Sequence, residues 1–156
     1  MRARSAATDL LSGIAAGLTA AWLMNRFQDG LSRAIGLDQS GDTAATKAAD
    51  ALSEDVSGKP VKRARRQDAD TVLHYATGAL AGGIYGLTAG QLPGVGAGRG
   101  LWYGASLWVA ADEILVPGLG LSPPAEQGFG LASHLVFGLA LDFCRRRIDR
   151  LMGAGR

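Results

Sequence analysis

Residues Val72–Leu92 read VLHYATGALAGGIYGLTAGQL. These twenty-one residues carry no full charge, and as a helix they reach about 30 Å, the depth of a bilayer core. Gly78, Gly82, Gly86 and Gly90 recur at every fourth position and make overlapping GxxxG units. In water this helix is poor, because each interior glycine costs about 1 kcal/mol relative to alanine. In lipid the helix satisfies its own backbone, and the glycines open a groove where a second helix backbone can approach. The stretch therefore predicts a membrane helix with a packing face.

The surrounding composition supports the same class through its segregation. Between Val72 and Phe143 only Arg99, Asp112, Glu113, Glu126 and Asp142 are charged, whereas Arg26–Thr71 holds eight Lys/Arg and eight Asp/Glu. The averages decide nothing, since 47% hydrophobic residues and a mean hydropathy of +0.11 also suit a soluble protein. Twenty-three glycines and 6% aromatics favour close-packed membrane helices. At +2 the net charge argues weakly for any anionic partner. The single cysteine, Cys144, excludes an internal disulfide and a cysteine metal cage.

Upstream, Leu10–Met24 is apolar behind Arg2 and Arg4, and Gly13 and Gly17 form another GxxxG pair. A cleaved signal peptide has the same plan, but Trp22, Leu23 and Met24 stand where a small-x-small site would be needed. The expectation is a first, short membrane helix within residues 1–25. Residues 26–71 form a polar charged loop, in which Thr43–Val56 predicts a helix capped by Asp42 and broken by Ser57, Gly58 and Pro60. The basic run VKRARR, Val61–Arg66, reads as a solvated juxtamembrane loop rather than a nucleic-acid or anionic-lipid patch, because the region's charges balance.

Downstream, PGVGAGRG (Pro93–Gly100) is a tight turn and lacks the spacing of a phosphate-binding loop. Leu101–Val116 makes a third apolar segment, with Gly100 and Gly104 as a further small-residue pair, and Pro117 stops it. Phe129–Phe143 makes a fourth, and 144–156 is a basic tail with Arg145, Arg146, Arg147 and Arg150 as a headgroup anchor. The fold class is thus an all-α integral membrane bundle of about four transmembrane helices, with residues 72–143 as a three-helix core. Lys/Arg counts tie between the two faces, and the arginines beside the last helix favour cytoplasmic termini.

HYATGALAGGIYGL (His74–Leu87), YGASLWVAADEILVPGLGLSPPAE (Tyr103–Glu126) and HLVFG (His134–Gly138) together resemble the YagU-like family of bacterial inner-membrane proteins. The shared features are a His-Tyr helix opening, a Trp-acidic-Pro-Leu-Gly-Leu-x-Pro run and a closing histidine. The resemblance covers about half the chain, residues 72–143, and Arg26–Thr71 has no counterpart in it. It implies a multi-pass protein of the bacterial inner membrane with several helices and no established enzyme chemistry.

Alternating passes put His74, Asp112, Glu113 and His134 in one leaflet, roughly 5–10 Å deep at 1.5 Å per residue. A carboxylate at such a depth costs about 2.5–3.5 kcal/mol and needs a partner. Glu113 or Asp112, with Glu113 favoured for its longer side chain, is expected within hydrogen-bond or one-water reach of His134, with His74 close enough to join. Pinning of helices, a proton or ion role, and simple interfacial solvation all fit these residues. No zinc-type spacing is present, so no metal or cofactor is expected. There is no G-x-S-x-G and no catalytic Cys/His pair, so no enzyme is expected either. The leading functional reading is envelope or acid-stress tolerance through the His/Asp/Glu cluster. The alternatives are a proton-coupled transporter or channel component, or an accessory subunit of a larger membrane complex. The expected partners are the lipid bilayer and a second copy or membrane-complex subunit, with no nucleic acid.

Overall fold

A computed structural model describes residues 5–36, 44–92, 94–115 and 127–154, and at 44, 45, 112, 113, 115, 127, 153 and 154 it describes the backbone alone. The described residues are helical, with no strand among them. Helix α1 spans Ala6–Ile35, α2 Ala44–Ser57, α3 Arg66–Thr88, α4 Leu101–Trp108 and α5 Gln127–Ala154. A 3₁₀ turn at Arg63–Arg65 leads into α3, another at Ala97–Gly100 leads into α4, and α4 widens into a π-helix over Val109–Leu115.

Local chemistry explains most of these limits. Ser5 caps α1 by accepting a hydrogen bond from the Thr8 N–H at 3.2 Å, and Asp9 sits in the first turn, where the helix dipole favours an acid. The helix does not stop after Met24 as the charge pattern suggested. It runs eleven residues further, from Asn25 to Ile35, because Asp29 pairs with Arg26 at 3.8 Å and Arg33 at 4.0 Å on the helix surface. Gly36 then ends it in the left-handed region (φ 69°). Helix α2 matches the expected span to within a residue; Asp42 lies outside the described residues. Arg66 of the VKRARR run is not free in a loop. It starts α3 and bonds Asp50 of α2 at 2.7 Å, while Asp50 also accepts the Val61 N–H at 3.0 Å. Before α4, Gly98, Arg99 and Gly100 are all left-handed (φ 62°, 57° and 85°), which reverses the chain in three residues.

Helices α1 and α3 pack antiparallel through glycine. A Cβ on Gly13 would run into the Gly82 carbonyl and lie 2.9 Å from Gly86 Cα; one on Gly17 would meet the Gly78 carbonyl and lie 2.9 Å from Gly82 Cα. Helices α4 and α5 repeat this device. A Cβ on Gly100 would strike the Gly138 carbonyl, and one on Gly104 the His134 carbonyl. Helix α5 also packs along α1, so α1, α3 and α5 form the body of the bundle and α4 leans on α5.

Along α1 and α3 the side-chain sizes are arranged the opposite way from a water-soluble core, while α5 contributes the buried Phe137 and Leu141. The buried positions of α1 are Gly13, Ala16, Gly17, Ala20 and Ala21 with Ser12, Ser32 and Met24, and those of α3 are Gly78, Gly82, Gly83 and Gly86 around Tyr85. Large apolar residues point outward: Leu11 is 65% exposed, Leu80 65%, Trp102 67% and Phe143 70%.

By length and apolarity, one described helix, α1, is able to cross a membrane, and 39% of its apolar window is buried. Four such helices were expected. Helix α3 falls short because glycines dilute its apolarity and Arg66, Asp68 and Asp70 occupy its first turns. Helix α4 is eight residues long before the π-helix begins, and α5 runs on into Arg145, Arg146 and Arg147.

Candidate functional site

Near the end of the bundle where α3 begins, the helices leave a cavity of about 190 Å³. Its walls are apolar: Ala21 and Met24 from α1, Gly78 and Ala81 from α3, Leu107 from α4, Ala111 from the π-helix and Phe137 from α5. Three polar side chains reach it, His74, Thr77 and His134. The two histidines of the chain, sixty residues apart, thus line one space.

Each imidazole is anchored by one nitrogen. His74 Nε2–H donates to the Ala21 carbonyl at 3.3 Å, across the α1–α3 contact. His134 Nδ1–H donates to the Gly130 carbonyl one turn back at 2.9 Å. A carbonyl oxygen only accepts, so those nitrogens carry the protons. In the neutral form of each ring, Nδ1 of His74 and Nε2 of His134 keep lone pairs. Thr77 spends its hydroxyl proton within its own helix, on the Leu73 and His74 carbonyls, each at 2.9 Å. The polar spots on the cavity wall are therefore acceptors.

Of the other expected cluster members, Asp112 and Glu113 have backbones in the π-helix, immediately after the cavity-lining Ala111. Their side chains lie outside the described residues, as does the loop after Leu115. His74 sits deeper along its helix than the apolar run implied, because α3 begins at Arg66 and not at Val72.

The expected packing glycines divide into two groups. Gly78, Gly82 and Gly86 face Gly13 and Gly17, whereas Gly100 and Gly104 face Gly138 on α5. Gly90 is a correction. It lies beyond the end of α3 in an exposed turn, and among the described residues nothing comes within 4 Å of a built Cβ, so it packs against no described helix. Gly83 takes part in a close contact, against Leu10 and Ile14, that the four-residue spacing did not single out.

A second polar group lies toward the opposite end of the bundle. The Tyr85 hydroxyl donates to Asp142 Oδ1 at 2.6 Å, and Arg146 Nε donates to Asp142 Oδ2 at 2.7 Å. Arg145 reaches across the bundle, donating to the Gly86 carbonyl at 3.2 Å, lying 3.8 Å from Asp9 and standing over the Tyr85 ring at 5.8 Å. Tyr103 packs on Tyr85, ring centroids 4.9 Å apart, and donates its hydroxyl to the Ala81 carbonyl at 2.7 Å. This network ties α1, α3, α4 and α5 together. Its one signal in the sequence was Asp142, a lone acid in an apolar run. Both carboxylate oxygens of Asp142 are occupied and the tyrosine is fully buried, so the network reads as a clamp. The histidine cavity has open lone pairs and space, and is the better candidate site. Comparison with family models, curated proteins and solved structures returns no match to this chain.

Proposed function

We propose that the chain is a small, non-enzymatic, multi-pass protein of the bacterial inner membrane, whose two-histidine cavity responds to proton concentration and contributes to tolerance of acid stress. The observation that carries the membrane part is the inverted distribution of side-chain size. A soluble bundle gains stability by burying large apolar side chains, whereas this one joins α1 to α3 through glycine and alanine, buries few large residues (Tyr85, Phe137 and Leu141 among them) and turns Leu11, Leu80, Trp102 and Phe143 outward. An outward apolar surface of this kind suits a lipid neighbour. Helix directions add support: α1 runs opposite to α3, and α4 opposite to α5. The start of α1 and the Arg145 region of α5 lie at the same end, where Asp9 meets Arg145. On this reading both termini are on one side, and the YagU-like motifs lead to the same compartment.

The proton-responsive part rests on the shared cavity. Histidine is the side chain whose charge ordinarily changes between pH 5 and 8, and here two of them line one apolar space. From α1 and α4 the cavity receives no titratable group, α3 and α5 supply His74 and His134, and the π-helix carries Asp112 and Glu113 next to it. The test is tryptophan emission of the full chain in lipid nanodiscs between pH 7.5 and 5. A transition in the parent that disappears in the His74→Gln/His134→Gln double variant is expected. Superimposable curves for the two proteins would reject the histidine pair as the sensor. In liposomes, proton flux that depends on the same pair would move the reading to a transport protein.

A further inference from the structure

We infer that the histidine cavity is a binding site for a small hydroxylated single-ring aromatic, a phenol-class molecule that reaches it from the surrounding lipid. Size comes first. At about 190 Å³ the space is smaller than the roughly 300–1,000 Å³ pockets that take drug-sized ligands. It is somewhat larger than an apolar cavity of about 150 Å³ that holds benzene. One aromatic ring with a substituent fills it.

Polarity comes second. The walls contributed by Met24, Leu107 and Phe137 match an apolar ring body. With both rings neutral the free polar atoms are acceptors, because the proton-bearing nitrogens of His74 and His134 donate to the Ala21 and Gly130 carbonyls and Thr77 donates within α3. A ligand that satisfies such a site brings a hydrogen-bond donor. A hydroxyl on the ring does so, whereas a carboxylate or phosphate would set its own lone pairs against those of the imidazoles. The carbonyl anchors fix both rings in place, so the lone pairs are oriented before the ligand arrives.

This inference rests on the shared cavity and not on the pH response, and the experiment separates the two. The chain has two histidines, so their ring signals in an NMR spectrum of the ¹⁵N-labelled protein in nanodiscs are assigned with one variant, His74→Gln. Phenol and toluene are then titrated in parallel; they share a ring and differ in the hydroxyl. The expected result is a saturable shift of both imidazole signals with phenol, and an affinity for toluene at least tenfold weaker. Ala111→Leu, which adds bulk at the cavity wall, should abolish the phenol shift while leaving the melting temperature close to the parent's. Equal responses to phenol and toluene would overturn the proposal, as would shifts that rise without saturation or persist in Ala111→Leu. If the pH transition is intact but phenol fails, the ligand alone is rejected; if both fail, the shared-cavity reading falls with it.

Discussion

At Asp142 a carboxylate whose side chain is 5% exposed takes one hydrogen bond from Tyr85 and another from Arg146, so neither oxygen is left bare inside the bundle. Removing the donor and removing the acceptor are different losses. Tyr85→Phe takes away one hydrogen bond and leaves Asp142 paired with Arg146, at a cost of about 1 kcal/mol. Asp142→Ala strands the buried Tyr85 hydroxyl and leaves a void, at about 3 kcal/mol. Combining the two changes should cost less than their sum, since the stranded hydroxyl is gone, and thermal unfolding of the three variants in one detergent measures the difference. Strict additivity would mean that the two groups do not depend on each other. At this scale the sequence was only partly legible. Asp142 stood out as an acid in an apolar run, but Tyr85 lies 57 residues away and nothing in local spacing links them. His74 and His134 were legible as a pair because the alternation of helix directions brings them to one level. Their carbonyl anchors were not, since those depend on where the backbones of Ala21 and Gly130 lie.

Between elements, contact is made by backbone against backbone. On α1 and α3, Gly13 and Gly17 interleave with Gly78, Gly82 and Gly86, and a Cβ at Gly82 would strike the Gly13 carbonyl and sit 2.6 Å from Gly17 Cα. Neither neighbour is the end of a flexible side chain, so nothing can swing aside. Gly82→Leu should therefore separate α1 from α3 and lower the melting temperature by several degrees or prevent stable purification, whereas Gly90→Leu, in the exposed turn, should behave like the parent. Comparable effects at the two positions would remove the glycine contact from the account. The glycine rows could be read in the sequence because a four-residue interval is one helix face. Which row meets which could not, because small-residue pairs at 13/17 and 100/104 are equally suited to receive the 78 row. The extension of α1 to Ile35 escaped for another reason: a segment defined by absence of charge ends at Arg26, while a helix carries Arg26, Asp29 and Arg33 comfortably as surface pairs. The widening of α4 into a π-helix has no counterpart in any simple periodicity.

Among the described residues the α1–α3 contact is built from small side chains and many large apolar ones face outward, although Tyr85, Phe137 and Leu141 are buried, and the membrane reading rests on that outward apolar surface. It explains why composition alone was silent: the average hydropathy is the same whichever way the leucines face. It also explains why α1 is the one described helix long and apolar enough to cross a membrane, since glycines that serve the interface lower the apolarity of the helix that carries them. The most direct measurement compares two exposed side chains that differ only in what is expected to surround them. Leu80 on α3 is 65% exposed and Val56 on α2 is 79% exposed. With Cys144 replaced by serine, Leu80→Cys and Val56→Cys are each treated with a hydrophilic maleimide in membrane vesicles made permeable to the reagent. The account predicts rapid labelling at position 56 and labelling at least tenfold slower at position 80, with both reacting fully once the protein is denatured. Equal rates at the two positions in intact membranes would show Leu80 facing water, and would contradict the placement of the bundle in lipid.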